Sequence, residues 1–330
     1  MRAWSSRVCL TVAALFLLLL TAVPAHAAPT ASAGTPGGTP AGLPAGPRAE
    51  APTGAAADLS APGPHAVGYS DVNVSASGRS FSARVYYPAV SAGGNTAVAA
   101  GRFPVVSFGH GFFQGIGKYA SLGRHWASWG MITIMPASQG GLFPSHSAFA
   151  DDLNAALTWM VQQDTAAGSR FGTHVRTDRL ALSGHSMGGG ASVLAAARNP
   201  GVRTVTNLAA AETNPSARAA AATTRVPMQL VAGSRDTVAG PSGHQIPIYE
   251  AKPAPKQLRT IVGGFHCGFT DSGGLGCDSG SIGRAVQQSI TKRVTTSWLL
   301  YHLADDGGQY DAVWGAAART DPAVQFLGVE

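Results

Sequence analysis

A chain of 330 residues, 45% hydrophobic and only 12% charged, is large enough for one substantial α/β domain and too sparsely charged to be a polyelectrolyte-binding protein. Its net charge of +6 is spread without a Lys/Arg cluster, which excludes the concentrated basic face that nucleic acid binding needs and leaves mild attraction to acidic surfaces.

Arg2 and Arg7 precede an apolar run from Val8 to Leu20, and Ala25-His26-Ala27 is a small-x-small cleavage signal. Residues 1–27 therefore read as a signal peptide; the run is shorter than the roughly 18 to 20 apolar residues a membrane span requires. No cysteine stands where lipoprotein processing would need one. Residues 28–64 are Ala, Pro, Gly and Thr with almost no large apolar side chain, the composition of a disordered linker. Residues 65–330 remain as one α/β domain, expected to be secreted as a monomer without a membrane span.

Within that domain, Arg79 to Tyr87 alternates as a half-exposed strand ending at Pro88. Continuous apolar runs follow at Phe103–Phe108, Met131–Met135, Leu180–Ser183, Thr204–Ala209, Met228–Ala232 and Leu258–Val262, most of them doubly buried strands. Helical stretches lie between them, at 119–129, 148–163, 188–198 and 282–303. Alternating strands and helices predict a mostly parallel sheet covered on both faces.

Gly184-His185-Ser186-Met187-Gly188 places a serine between two glycines where a strand gives way to a helix. In a chain with 42 glycines the pentapeptide alone is a weak signal, but the strand-to-helix context makes Ser186 the candidate nucleophile. A serine hydroxyl needs an imidazole to take its proton and a carboxylate to orient that imidazole, and in this kind of sheet the acid and then the histidine follow the serine. Asp236, in the loop after Met228–Ala232, is the candidate acid, with Glu212 its rival. His266, in the loop after Leu258–Val262, is the candidate base, with His244 its rival. His185 is expected to point away, and His302 to sit on the surface or cap its helix. Oxyanion donors are expected from the amides of Met187, directly after the nucleophile, and Phe112, in the loop after the Phe103–Phe108 strand. Phe112, Phe113 and Phe143 are candidates for an apolar acyl site, and His110 for a structural hydrogen-bonder. Cys9 falls in the signal segment, leaving Cys267 and Cys277 as an even pair expected to form a disulfide beside His266. Two thiols without paired histidines do not suggest a metal site, and no phosphate-binding glycine pattern suggests a cofactor.

These residues resemble the bacterial cutinase, polyester-hydrolase and chlorophyllase-like branch of the α/β-hydrolases. The resemblance runs from about Tyr86 to Leu303 and rests on Gly109-His110-Gly111-Phe112, Ala127-Ser128-Trp129-Gly130-Met131, Asp152-Leu153-Asn154-Ala155-Ala156-Leu157 and Gly184-His185-Ser186-Met187-Gly188-Gly189-Gly190, together with Asp236 and His266. It implies a cofactor-free ester hydrolase with Ser186, Asp236 and His266 as triad and Phe112 and Met187 as oxyanion amides. Polyester-cleaving members carry Pro-Trp beyond the strand after the nucleophile helix, where this chain reads Ala210-Ala211-Glu212, so the resemblance leaves open which small or polymeric ester is cleaved. The alternatives are a peptidase or amidase of the same fold and a non-catalytic binding protein on the same scaffold.

Overall fold

The computed structural model describes residues 57–330 except Leu275, so the signal peptide and most of the linker read from sequence lie outside the described residues. One ten-stranded sheet organises the rest: β1 (Ala66–Ala76), β2 (Arg79–Ala89), β3 (Gly93–Gly94), β4 (Phe103–Gly109), β5 (Ile132–Pro136), β6 (Val175–His185), β7 (Val202–Leu208), β8 (Met228–Gly233), β9 (Lys256–Ile261) and β10 (Val324–Val329). Their order is β10-β9-β8-β7-β6-β4-β5-β2-β1-β3. The six strands from β5 to β9 in this order run parallel. Antiparallel pairing appears at the flanks, where β2 joins β5 and β1, and β10 joins β9. A mostly parallel sheet is thus observed, as the alternation of apolar runs and helical stretches predicts.

The longer helices are α1 (Ala120–Ser128), α2 (His146–Gln163), α3 (Met187–Arg198), α4 (Ala217–Thr223), α5 (Gln245–Ala251) and α6 (Arg284–Leu303), followed by the short α7 (Tyr310–Val313) and α8 (Ala316–Arg319). Strands β4, β5 and β8 are buried at every position, which is why their sequences run continuously apolar instead of alternating. Successive side chains leave opposite faces of a strand, and neighbours therefore enter different cores. Val105 packs with Phe149, Leu153 and Met160 of α2 and Val193 of α3. Val106, one residue on, packs with Trp126 of α1 and Val294 and Leu299 of α6. Burying each such side chain is worth about 1.5–3 kcal/mol, and the two layers hold the parallel strands from both sides.

The flanks depart from expectation. β1 carries Ser70, Asp71, Asn73 and Ser75, which mask a strand, yet its full length pairs with β2. The last eight residues of the stretch read as linker also lie on the domain. Leu59 is buried, its carbonyl faces His125 Nε2 at 3.0 Å, and Gly63 donates to Ser128 Oγ at 2.8 Å. One apolar anchor and backbone bonding to α1 hold a segment whose composition alone reads as linker.

Candidate active site

Ser186 sits on the turn between β6 and α3 with φ 54° and ψ −120°, outside the regions L-residues favour, a conformation that costs about 1–3 kcal/mol. The surrounding backbone holds it there: the Ser186 amide donates to Leu208 O (3.0 Å), and its carbonyl accepts from Gly190 N (3.1 Å) and Ala211 N (2.9 Å). The flanking glycines are steric requirements. A Cβ on Gly188 would fall 2.2 Å from the Gly109 backbone, and one on Gly184 would fall 2.4 Å from the carbonyl of Gly188. The turn therefore brings β4, β6 and α3 together and lifts the serine at the carboxyl end of the sheet.

Asp236 follows β8, and His266 follows β9, with His266 Nδ1 donating to Asp236 Oδ2 at 2.7 Å. The other carboxylate oxygen accepts from the amides of Val238 (2.9 Å) and Ala239 (2.7 Å), so every face of this buried acid is used. An ionised carboxylate only accepts, which fixes the proton on Nδ1 and leaves Nε2 with the lone pair. Ser186 and His266 line one cavity of about 560 Å3 with Gly111, Phe112, Phe113 and Val238. Ser186 Oγ and His266 Nε2 form no hydrogen bond with each other among the described residues, although both residues line the same cavity.

The amides of Phe112 and Met187 both lack a protein acceptor among the described residues; that of Met187 opens α3, where no intrahelical partner exists. Phe112 and Phe113 stand edge to face at 5.1 Å and half-exposed on the cavity wall. Phe143 does not join them: it is 96% exposed and lies outside that lining. His110 is wedged between the carbonyl oxygens of Gly111 (2.9 Å) and Ser138 (2.8 Å), the structural position expected for it.

His185 does not point away. As the last residue of β6 it shares the face of Ala181, where its ring lies 4.5 Å from that of His266 and forms part of the cavity wall. Gly111 N donates to Tyr119 Oη (3.0 Å), so the phenolic proton goes to His185 Nδ1 (2.8 Å). Burial, reinforced by the neighbouring His266, holds the His185 pKa well below 6.5, and burial likewise raises that of Tyr119. A neutral imidazole and a protonated phenol thus connect the Phe112 loop to the space beneath His266. His302, in the last turn of α6, is half-buried and makes no capping bond among the described residues: its ring stacks 4.1 Å from Trp298 and faces Trp314, and burial pushes its pKa down to about 4.

The two rival site residues meet each other instead of Ser186. Glu212 N donates to His244 Nδ1 at 2.9 Å, and the Glu212 carboxylate accepts from Arg218 N at 2.9 Å. Sequence reasoning missed Asp278, whose carboxylate accepts from the amides of His266 (2.9 Å), Cys267 (3.1 Å) and Thr237 (3.2 Å). It joins the acid loop to the histidine loop. The Cys267–Cys277 disulfide, with Cα atoms 5.6 Å apart, delivers Asp278 to that position. Its one signal in the sequence is adjacency to Cys277.

Serine, acid and histidine in that chain order at the carboxyl ends of parallel strands, under helices on both faces, define an α/β-hydrolase. Residues 44–312 match the family described as PET hydrolase-like, and the chain belongs to that family. It is similar to cutinase est2 of Thermobifida alba, 30% identical over 171 residues (52% of this chain, 51% of the relative). It is also similar to cutinase cut1 of Thermobifida fusca, 29% identical over 169 residues (51% of this chain, 48% of the relative). The chain spans about half the length of these curated relatives. No helix among the described residues is long and apolar enough to cross a membrane.

Proposed function

We propose that this chain is a secreted hydrolase of carboxylic esters acting through an acyl-enzyme on Ser186. The observation that carries the reading is the buried Asp236–His266 bond of 2.7 Å opening on the same cavity as the strained serine. His266 Nε2 takes the Ser186 proton as Oγ attacks the ester carbonyl, and the Phe112 and Met187 amides receive the oxyanion. Each such donor is typically worth about 2.7–4 kcal/mol in the transition state. The bond to the alkoxide leaving group then breaks as His266 returns the proton to it. Water, deprotonated by the same imidazole, attacks the acyl-enzyme and releases the carboxylic acid and free serine. Asp236 holds the ring and offsets the imidazolium charge throughout.

The family description and the cutinase names of the relatives favour esters over amides. Phe112 and Phe113 offer an apolar wall for the acyl group, while Ala210 and Ala211 supply no aromatic platform after β7. Small aliphatic esters are therefore the favoured substrates. Export through the 1–27 signal agrees with a disulfide, which persists in oxidising compartments.

Initial rates on p-nitrophenyl esters from acetate to palmitate, beside a p-nitroanilide series, test the reading together with serine-directed phosphonate labelling. Ester turnover abolished by a label that maps to Ser186 is expected, and Ser186→Ala should lower kcat by roughly 10^6-fold with the fold retained. Turnover surviving that substitution would sink the mechanism, and preferential anilide cleavage would replace the esterase with a peptidase.

A further inference from the structure

A second cavity, of about 460 Å3, shares no lining residue with the Ser186 cavity. Its wall contains Arg259, from the middle of β9, which is 1% exposed. Nε and Nη1 of this guanidinium are sealed from solvent without an acceptor, and no side-chain hydrogen bond of Arg259 is formed among the described residues. An unpaired buried cation is among the least favourable arrangements in a folded chain, and arginine cannot escape it by losing its proton near neutral pH.

The neighbouring groups do not neutralise it. The closest acid to act on Arg259 is Asp321, but its carboxylate is occupied by Arg293 Nη2 (2.7 Å) and the Ala323 amide (2.9 Å). Arg293 itself lines the cavity, but its charge is matched by Asp321, so the pair leaves Arg259 without a bonded counter-ion. Asp58 and Asp311 also line it, but both are exposed and engaged, Asp58 by Ser60 and Asp311 by the Ala317 amide. The Phe326 ring lies 5.2 Å from the Arg259 guanidinium and 4.9 Å from that of Arg319, which steadies the cation without supplying an acceptor. Burial lowers the Arg259 pKa to about 10, still charged at neutral pH. The remaining wall includes Leu59, Val294, Ala312 and Ala317, an apolar lining far larger than an inorganic ion requires.

We propose that this cavity is a binding site for a small organic carboxylate, one oxygen accepting from Arg259 Nη2, the guanidinium nitrogen that is neither sealed nor bonded, and its hydrocarbon body against Leu59, Val294 and Ala312. A charge-assisted bond from arginine to a carboxylate is among the strong ones, and the carboxylate charge offsets the guanidinium at close range. A water molecule could fill a donor but not balance the charge. The site does not depend on ester hydrolysis at Ser186, and loss of that mechanism leaves it intact.

Thermal unfolding of the full chain at fixed ionic strength, with sodium hexanoate, sodium phosphate or neutral hexanol set against sodium chloride, tests the site. Hexanoate at about 100-fold above its Kd should raise Tm by about 5 °C, hexanol should not, and Arg259→Met should remove the effect. An equal response to phosphate would overturn the carboxylate assignment in favour of a general anion site. No response to hexanoate, or one that survives Arg259→Met, would overturn the site itself. Should Arg259→Met fail to fold, a crystal of the unmodified protein soaked in 4-bromobenzoate decides: a bromine anomalous peak beside Arg259 supports the site, and a cavity holding only water refutes it.

Discussion

The two walls of the Ser186 cavity are built to different standards. The His266 wall is fastened at almost every residue: Asp278 takes the His266 and Cys267 amides, Gln287 both accepts from and donates to the Phe265 backbone, Arg284 donates to Cys267 O and Thr270 O, and a disulfide closes the loop. The Phe112 wall hangs on few bonds, chiefly Gly111 N to Tyr119 Oη and the carbonyl contact of His110. Phe112 and Phe113 rest half-exposed on it. In the proposed mechanism proton transfer at His266 tolerates little misplacement, while the Phe112 wall combines non-directional packing by its rings with one directed amide, held by the Gly111 N to Tyr119 Oη bond.

The largest expected effect on this comparison comes from Asp278→Ala, which leaves three amides of the fastened wall without their acceptor. We expect kcat to fall by roughly 100-fold with little change in KM, and Asp278→Asn, which keeps one acceptor oxygen, to fall between. An unchanged kcat would show that the fastening is redundant. Reducing the Cys267–Cys277 bond, which spans ten positions, should cost about 2–3 kcal/mol and lower Tm by about 5 °C, with activity lost before the global transition. Confirmed thiol release without a change in Tm would contradict this. Phe113→Ala on the open wall should raise KM for long-chain esters by about 3-fold and leave kcat alone. An equal fall in kcat would erase the distinction between the walls.

The smallest effect concerns acid. His302 and His125 both have pKa values pushed down to about 4 by burial, and that of His185 is also depressed. Between about pH 6.5 and pH 4 the unfolded chain binds protons that the folded chain refuses, so stability falls as pH drops through that window and changes little above it. His302→Phe should flatten the Tm profile across it; an unaltered slope would remove His302 from the account.

Much of the parallel centre was legible because burial on both faces forces continuous apolar runs such as Phe103–Phe108 and Met228–Ala232. The Gly184–Gly188 pentapeptide in its strand-to-helix context points to Ser186, and strand-end position with chain order points to Asp236 and His266; the three lie around one cavity or are bonded at its edge. Of the antiparallel flanks only β2 is legible, as the alternating run Arg79–Tyr87; β1 and β10 are not. β1 alternates polar and apolar residues with Gly68 and Asp71 among them, and only its pairing with β2 identifies it. His185 departs from expectation because it is still part of β6, whose alternation carries it onto the same face as Ala181, beside Tyr119 and Phe269, whereas the motif by itself marks only a variable position. Asp278 went unseen because it acts on backbone amides from two other loops, contacts that exist only after β8 and β9 are side by side.

The uneven fastening of the cavity also bears on how the protein could be altered. Gly184 and Gly188 admit no Cβ, and Asp236 has no free oxygen, so heritable change at the elbow or the acid would be purged at once. Phe112, Phe113 and Val238 anchor little besides themselves, and substitutions there can accumulate while the fold is spared. A combinatorial library confined to those three positions would sample new selectivities at low cost in viable clones, which makes the loosely held wall the natural place for this scaffold to diversify.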